Sequence, residues 1–150
     1  MFDNDVLDVV ICDTTTVHRK PIFVWNENLF WVARSDFLLS SGQSLPIIMF
    51  EDTCPWKERC VAALSNRSLR WAIVCDASTL VAMATAVRVG VGIGPMIAST
   101  IPEGCQALER DENFPAPVQI SIGLYARAQA PGEAQYLAQF VGRLSHVVKP

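Results

Sequence analysis

The residues with chemistry to offer gather where an apolar run ends and a helix begins. One such place is Glu51-Asp52-Thr53-Cys54-Pro55-Trp56, which follows the apolar run 45–50. The other is Ser78-Thr79, which follows the run 69–75. A helix start turns unpaired backbone N–H groups and the positive end of its dipole outward. With a hydroxyl alongside, that arrangement holds a carboxylate, a phosphate or another small polar group. An ordinary capped helix start has the same composition. Glu51 and Asp52 argue against an anion, because two carboxylates beside the site repel one. Asp13-Thr14 and Gly94-Pro95 also stand at exits from apolar runs, where open α/β sheets gather ligands.

The cysteines suggest a second chemistry. Cys54 lies at a helix start, where the dipole lowers a thiol's pKa, and Cys60 is placed to resolve an oxidised Cys54. Against this, Cys60 falls beside Val61 and Leu64 on the apolar helix face, and a buried cysteine is the commoner outcome there. The five cysteines, at 12, 54, 60, 75 and 105, are odd in number and form no CxxC. That usage fits a reducing, cytoplasmic compartment. His18 and His146 are the only histidines, so no metal set is expected. Neither has a Ser or Cys partner in sequence context, and no nucleophile, base and orienter come together. We therefore expect no catalytic residue, no cofactor and no enzyme.

Elements must position these residues, and the stretch 78–95 organises them. Ser78 is the expected N-cap. Leu80, Met83, Ala84 and Val87 make one apolar helical face, Arg88 suits the last turn, and Gly90 ends the helix. A short glycine-rich strand follows, closed by Pro95. The glycines resemble a dinucleotide loop in the wrong order, since there the strand precedes the glycines and the helix follows. Upstream, residues 6–12 read as a strand buried on both faces, as in a parallel sheet. Residues 21–25 and 29–33 read as two strands around the polar turn Asn26-Glu27-Asn28. Residues 45–50 and 69–75 are strands flanking a helix near 56–66, with Pro55 at its first position and Thr53 or Cys54 in the cap. Downstream come a short strand at 105–108 and an alternating strand at 118–125. The last helix, from Ala130-Pro131, carries Tyr136, Leu137, Phe140, Val141 and Leu144 on one face.

The sequence has 150 residues, is 51% hydrophobic and 18% charged, and carries a formal net charge of −3. This composition describes a folded chain with a sizeable core. Its scattered basic residues give no phosphate-binding cluster, so nucleic acid is not an expected partner of these residues. No apolar run is long enough to cross a membrane. An exported solute-binding protein shares this alternation of elements. The acidic start Met1-Phe2-Asp3-Asn4-Asp5 and the odd cysteine count oppose that reading.

The order of pieces resembles the effector-binding domain of LysR-type transcriptional regulators. Leu7-Asp8-Val9-Val10-Ile11 resembles the family's "LDLAI" strand, and residues 29–33 its "LVLV" crossover strand. Residues 46–50 with Cys54-Pro55-Trp56-Lys57-Glu58-Arg59 resemble "PLILF…CxYR". Ala86-Val87-Arg88-Val89-Gly90-Val91-Gly92-Ile93 resembles "AVxAGLGI", the most specific of these matches, and residues 130–144 resemble "SPxxxxLxxFL". The resemblance implies an α/β, periplasmic-binding-protein-like domain of two lobes. On that template residues 1–28 are a first-lobe remnant and crossover, 29–114 a complete second lobe, and 115–150 the return strand and C-terminal helix of the first lobe. It implies a small-molecule effector held between the lobes, and the strand exits and helix starts offer Asp13, Thr14, Thr53, Cys54, Trp56, Ser78, Thr79, Gly94 and Pro95 as the residues expected to hold it. It also implies a homodimer or higher homo-oligomer, with DNA bound only through a domain absent from this chain.

Overall fold

The computed structural model describes residues 7–38, 42–108 and 114–144. Val6, His146 and the side chain of Leu144 fall outside them. The elements are β1 (Val9–Asp13), β2 (Phe23–Arg34), β3 (Leu45–Phe50), α1 (Lys57–Ser65), β4 (Trp71–Ala77), α2 (Leu80–Arg88), β5 (Gly94–Ile97), β6 (Cys105–Ala107), β7 (Val118–Ala126) and α3 (Gly132–Leu144). They fall into two compact units, one formed by Met1–Glu27 with Ile120–Pro150 and the other by Asn28–Gln119.

In the first unit β1 runs antiparallel to β7, from Val9 opposite Ala126 to Asp13 opposite Ile122. β7 in turn neighbours β2. Among the described residues β1 is thus an antiparallel strand at the end of its sheet, not a strand buried on both faces, and Ile11 is exposed. Its apolar run is a weaker guide than expected because an edge strand tolerates apolar residues on its open face. The two expected strands around Asn26-Glu27-Asn28 are one continuous strand, β2. The polar triplet keeps the alternation of the pleat, with Asn26 and Asn28 exposed and Glu27 half-buried between them. Ser121 Oγ donates to Asn26 Oδ1 at 2.8 Å from the neighbouring strand.

The last helix forms where expected but buries a different face. Tyr136, Leu137 and Phe140 are exposed, while Ala138 and Gly142, four residues apart, are buried. Small residues let the helix come close, and a Cβ at Gly142 would overlap the Phe23 ring.

The second unit carries strands in the spatial order β6, β2, β5, β3, β4. β2 pairs antiparallel with β5, from Leu29 opposite Ile97 to Val32 opposite Gly94, and with β6, from Val32 opposite Ala107 to Arg34 opposite Cys105. β3 and β4 run parallel, from Leu45 opposite Trp71 to Phe50 opposite Ala77, with a bulge that leaves Val74 unmatched. Ile93 joins the two groups of strands. Its N–H donates to the Pro46 carbonyl and its carbonyl accepts from the Ile48 N–H, both at 2.8 Å. Leu29, Val32, Ile47, Ile48, Met49, Leu64, Met83, Val87, Ile93 and Met96 are fully buried in this unit.

The glycines of 90–94 each answer a separate constraint. Gly90 has φ of +81°, and the N–H groups of Gly90 and Val91 donate to the carbonyls of Val87 and Ala86. This is the Schellman ending of α2. At Gly92 a Cβ would overlap the Pro46 carbonyl oxygen, so only glycine permits the junction at Ile93. At Gly94 a Cβ would meet Met83 Sδ and Val87 Cγ2, the buried face of α2.

Gly90→Ala places a side chain in the left-handed region, which costs about 1–2 kcal/mol. Gly92→Ala presses on a backbone atom that cannot swing aside, so its cost lies at or above the upper end of the ~1–3 kcal/mol of overpacking. Urea denaturation of the two variants is expected to rank Gly92→Ala as the more destabilised. An equal or smaller loss at Gly92 would show that the junction relaxes.

Candidate functional site

β3 and β4 end side by side, at Phe50 and Ala77. The loop 51–56 and the pair Ser78-Thr79 therefore leave the same edge of the sheet. The β3-to-β4 crossover moves one way across the sheet, and the β4-to-β5 crossover moves back past β3. Right-handed connections put α1 and α2 on opposite faces as a result. Where adjacent parallel strands send their helices to opposite faces, a crevice opens at the strand ends.

The loop 51–56 is built from two successive turns. The Cys54 N–H donates to the Glu51 carbonyl at 3.0 Å, and the Lys57 N–H to the Cys54 carbonyl at 3.2 Å. Trp56, not Thr53 or Cys54, is the N-cap of α1, and no side chain caps the helix. The extra turn through Pro55 delays the helix to Lys57. Thr53 is exposed and its hydroxyl donates to Glu51 Oε1 at 3.1 Å. The Trp56 ring packs edge-on against Phe50, with centroids 5.5 Å apart.

At the second loop the cap is Thr79 rather than Ser78. Thr79 Oγ1 accepts from the Ala82 N–H at 3.1 Å. Thr79 has the extended backbone that a cap requires, and Ser78 stands one residue further out, exposed. Thr53, Cys54, Trp56, Ser78 and Thr79 are thus brought to one edge of the sheet.

The remaining expected site residues stand elsewhere. Gly94 and Pro95 are buried inside β5, opposite Val32 and Trp31. Asp13 and Thr14 belong to the first unit. Asp13 is buried, and its carboxylate accepts from the Thr15 N–H at 2.9 Å and the Thr15 hydroxyl at 2.6 Å. The Thr14 N–H donates to the Ser121 carbonyl. These contacts make a tight turn at the end of β1.

Two residues join the site that the sequence did not mark. Lys57 Nζ lies 2.8 Å from Asp52 Oδ1 and 3.3 Å from Asp76 Oδ1. The hydrogen bond from Lys57 holds the Asp52 carboxyl below its ordinary pKa, and the same bond raises that of Lys57. Asp76 lies 19 residues from Lys57 in sequence, so no local pattern announces the pair.

Cys60 is fully buried and Cys54 half-buried. Burial, followed by the neighbouring Cys54, pushes the Cys60 thiol up to about 12. A protonated, enclosed thiol makes a poor resolving partner. Among the described residues no three His, Cys, Asp or Glu side chains group as metal ligands. No described helix is long and apolar enough to cross a membrane.

An α/β unit with opposed crossovers and a polar strand-end edge is the frame of a small-molecule binding domain. Residues 2–145 match the LysR substrate binding domain, and the chain belongs to that family. Its fold is that of LysR regulatory domains, which are periplasmic-binding-protein-like. The HTH-type transcriptional regulator PecT of Dickeya dadantii (strain 3937) is 21% identical over 115 residues, covering 77% of this chain and 36% of PecT. The chain thus spans about a third of that relative's length. The bromide-bound regulatory domain of HypT from Salmonella typhimurium superposes with a TM-score of 0.77 at 12% identity, covering 99% of this chain and 77% of that one. The regulatory domain of CcmR from Synechocystis PCC6803, in complex with 2-PG, gives 0.67 at 16% identity, covering 95% and 75%.

The Cys60 thiol has a pH consequence. Its raised pKa means the folded protein keeps a proton that the unfolded chain gives up above about 9. Its contribution is intact below pH 9 and declines as pH rises toward 12, by up to about 1.4 kcal/mol per pH unit. Denaturation of wild type and Cys60→Ala between pH 8 and 11 is expected to show a stability difference that narrows with pH. A difference independent of pH would mean that the thiol ionises normally.

Proposed function

We propose that this chain is the effector-sensing region of a LysR-type transcriptional regulator. A small molecule binds it, and the whole protein's DNA contacts change in response. The observation that carries this reading is the shared edge at the ends of β3 and β4, where Thr53, Cys54, Trp56, Ser78 and Thr79 come together. Membership of the LysR substrate binding domain family supports it, as does similarity to the transcriptional regulator PecT. HypT with bromide and CcmR with 2-PG are cases in which a domain of this fold holds a small ligand. In this reading the domain binds rather than catalyses, works in the cytoplasm, and leaves DNA to another part of the regulator. The formal charge of −3 suits that division, since phosphate contacts need clustered cations.

Thr53 and Ser78 offer exposed hydroxyls to the effector, while Thr79 also serves as a cap. Loss of one hydrogen bond to a neutral group removes about 0.5–1.5 kcal/mol, or roughly two- to tenfold in affinity. In the intact regulator, Thr53→Ala and Ser78→Ala, made singly, are expected to shift the effector concentration for half-response of a reporter gene by that factor. Two unshifted variants with intact folding would remove these residues from the site.

The domain also self-associates in this reading. β4 ends its sheet among the described residues and exposes Ile73 and Val74, and Val81 of α2 is exposed as well. Open edges and apolar patches of this kind are covered by pairing. Sedimentation at high micromolar concentration is expected to give a dimer or larger species. A clean monomer would count against this part of the proposal.

A further inference from the structure

We propose that Lys57 is a positioning residue that ties the loop 51–56 to the end of β4, so that the two ligand-facing loops hold one geometry. The inference rests on the effector reading for its purpose and on side-chain geometry for its content. Asp52 belongs to the loop after β3, and Asp76 is the last residue but one of β4, two places before Ser78. One amine, from the first residue of α1, reaches both carboxylates, at 2.8 and 3.3 Å.

The Lys57 side chain is 18% exposed, whereas Asp52 is 95% and Asp76 61% exposed. An ordinary surface ion pair contributes little, because two long side chains must both be held still. Here the lysine stem is already covered, and its ammonium group carries the connection. The direction of the charge effects agrees, with the lysine's proton held more tightly and Asp52 more readily ionised. Glu51 stands outside the arrangement and instead accepts from the Thr53 hydroxyl. The two loops lead into helices on opposite faces of the sheet, so a link across their common edge is what lets one respond to the other. Lys57 offsets one of the two carboxylates it touches.

Amide hydrogen exchange on the whole chain tests this without any effector. The reporters are the amides of Cys54, bonded to the Glu51 carbonyl, and Ala82, bonded to Thr79 Oγ1. Lys57→Met is expected to speed exchange at both several-fold while melting stays cooperative. Lys57→Arg, which keeps the charge, is expected to retain the wild-type rates. Asp52→Asn is expected to be felt at Ala82, across the link. Unchanged amides in Lys57→Met would overturn the proposal. So would Lys57→Arg behaving like the methionine variant, or Asp52→Asn and Asp76→Asn each moving only the amide of its own loop. If Lys57→Met fails to fold, the asparagine variants decide alone. Failure of the effector reading shows separately, in reporter responses of the Thr53 and Ser78 variants, and leaves the exchange pattern as predicted.

Discussion

Two backbone hydrogen bonds at Ile93 join the two groups of strands in the second unit. Through them the parallel pair β3–β4 becomes continuous with β5, and through β5 with β2 and β6. The contact is narrow, a single residue wide, and it exists because Gly92 brings the chain against the Pro46 carbonyl without a side chain in between. The arrangement of the candidate edge depends on this junction. It sets β3 between β4 and β5, which makes the two crossovers run in opposite directions and sends α1 and α2 to opposite faces. Without that opposition the ends of β3 and β4 would carry two helices on one side and no crevice.

The same junction explains which parts of the fold were legible in the sequence. The helix and strand of residues 80–97 were legible because each glycine marks a constraint on the backbone itself: a left-handed turn, a close approach and a helix pressed on a strand. The turn at Gly90 depends on neighbours a few residues away, which a linear reading captures, whereas the approach of Gly92 to the distant Pro46 shows only in the fold. Two strands joined by Asn26-Glu27-Asn28 were not told from one, since polar residues that follow the pleat look like a turn until a neighbouring strand supplies partners such as Ser121. The buried face of α3 was missed for a related reason. Hydrophobic periodicity selects Tyr136, Leu137 and Phe140, but close packing selects the smallest residues, Ala138 and Gly142.

Around the candidate site the sequence located the two loops but not the residues that cap their helices. Both loops were placed by the rule that polar residues after a buried strand occupy its carboxyl end. The caps were each off by a short step, because Ser78 and Thr79, or Thr53, Cys54 and Trp56, differ as caps only in backbone conformation. Gly94 and Pro95 were drawn toward the site by their place at a strand exit, yet β5 begins at Gly94 and buries both. Lys57 and Asp76 were invisible, as only the register of β3 with β4 brings them together.

Charge at this edge is what separates the chain's own chemistry from the general frame of its family. A helix start favours an anion by its dipole, and an uncapped one such as α1 favours it most. That field is worth roughly 0.3–1 kcal/mol where it is exposed to water. Glu51, Asp52 and Asp76 stand at the ends of two neighbouring strands, and Lys57 is bonded to Asp52 and Asp76. A partial charge of about one half at the helix end is smaller than one full carboxylate charge. The carboxylates of Glu51, Asp52 and Asp76 thus work against the helix dipole for any free anion at this edge. The fold places the two strand ends side by side, and these side chains, which the fold does not dictate, set the charge there.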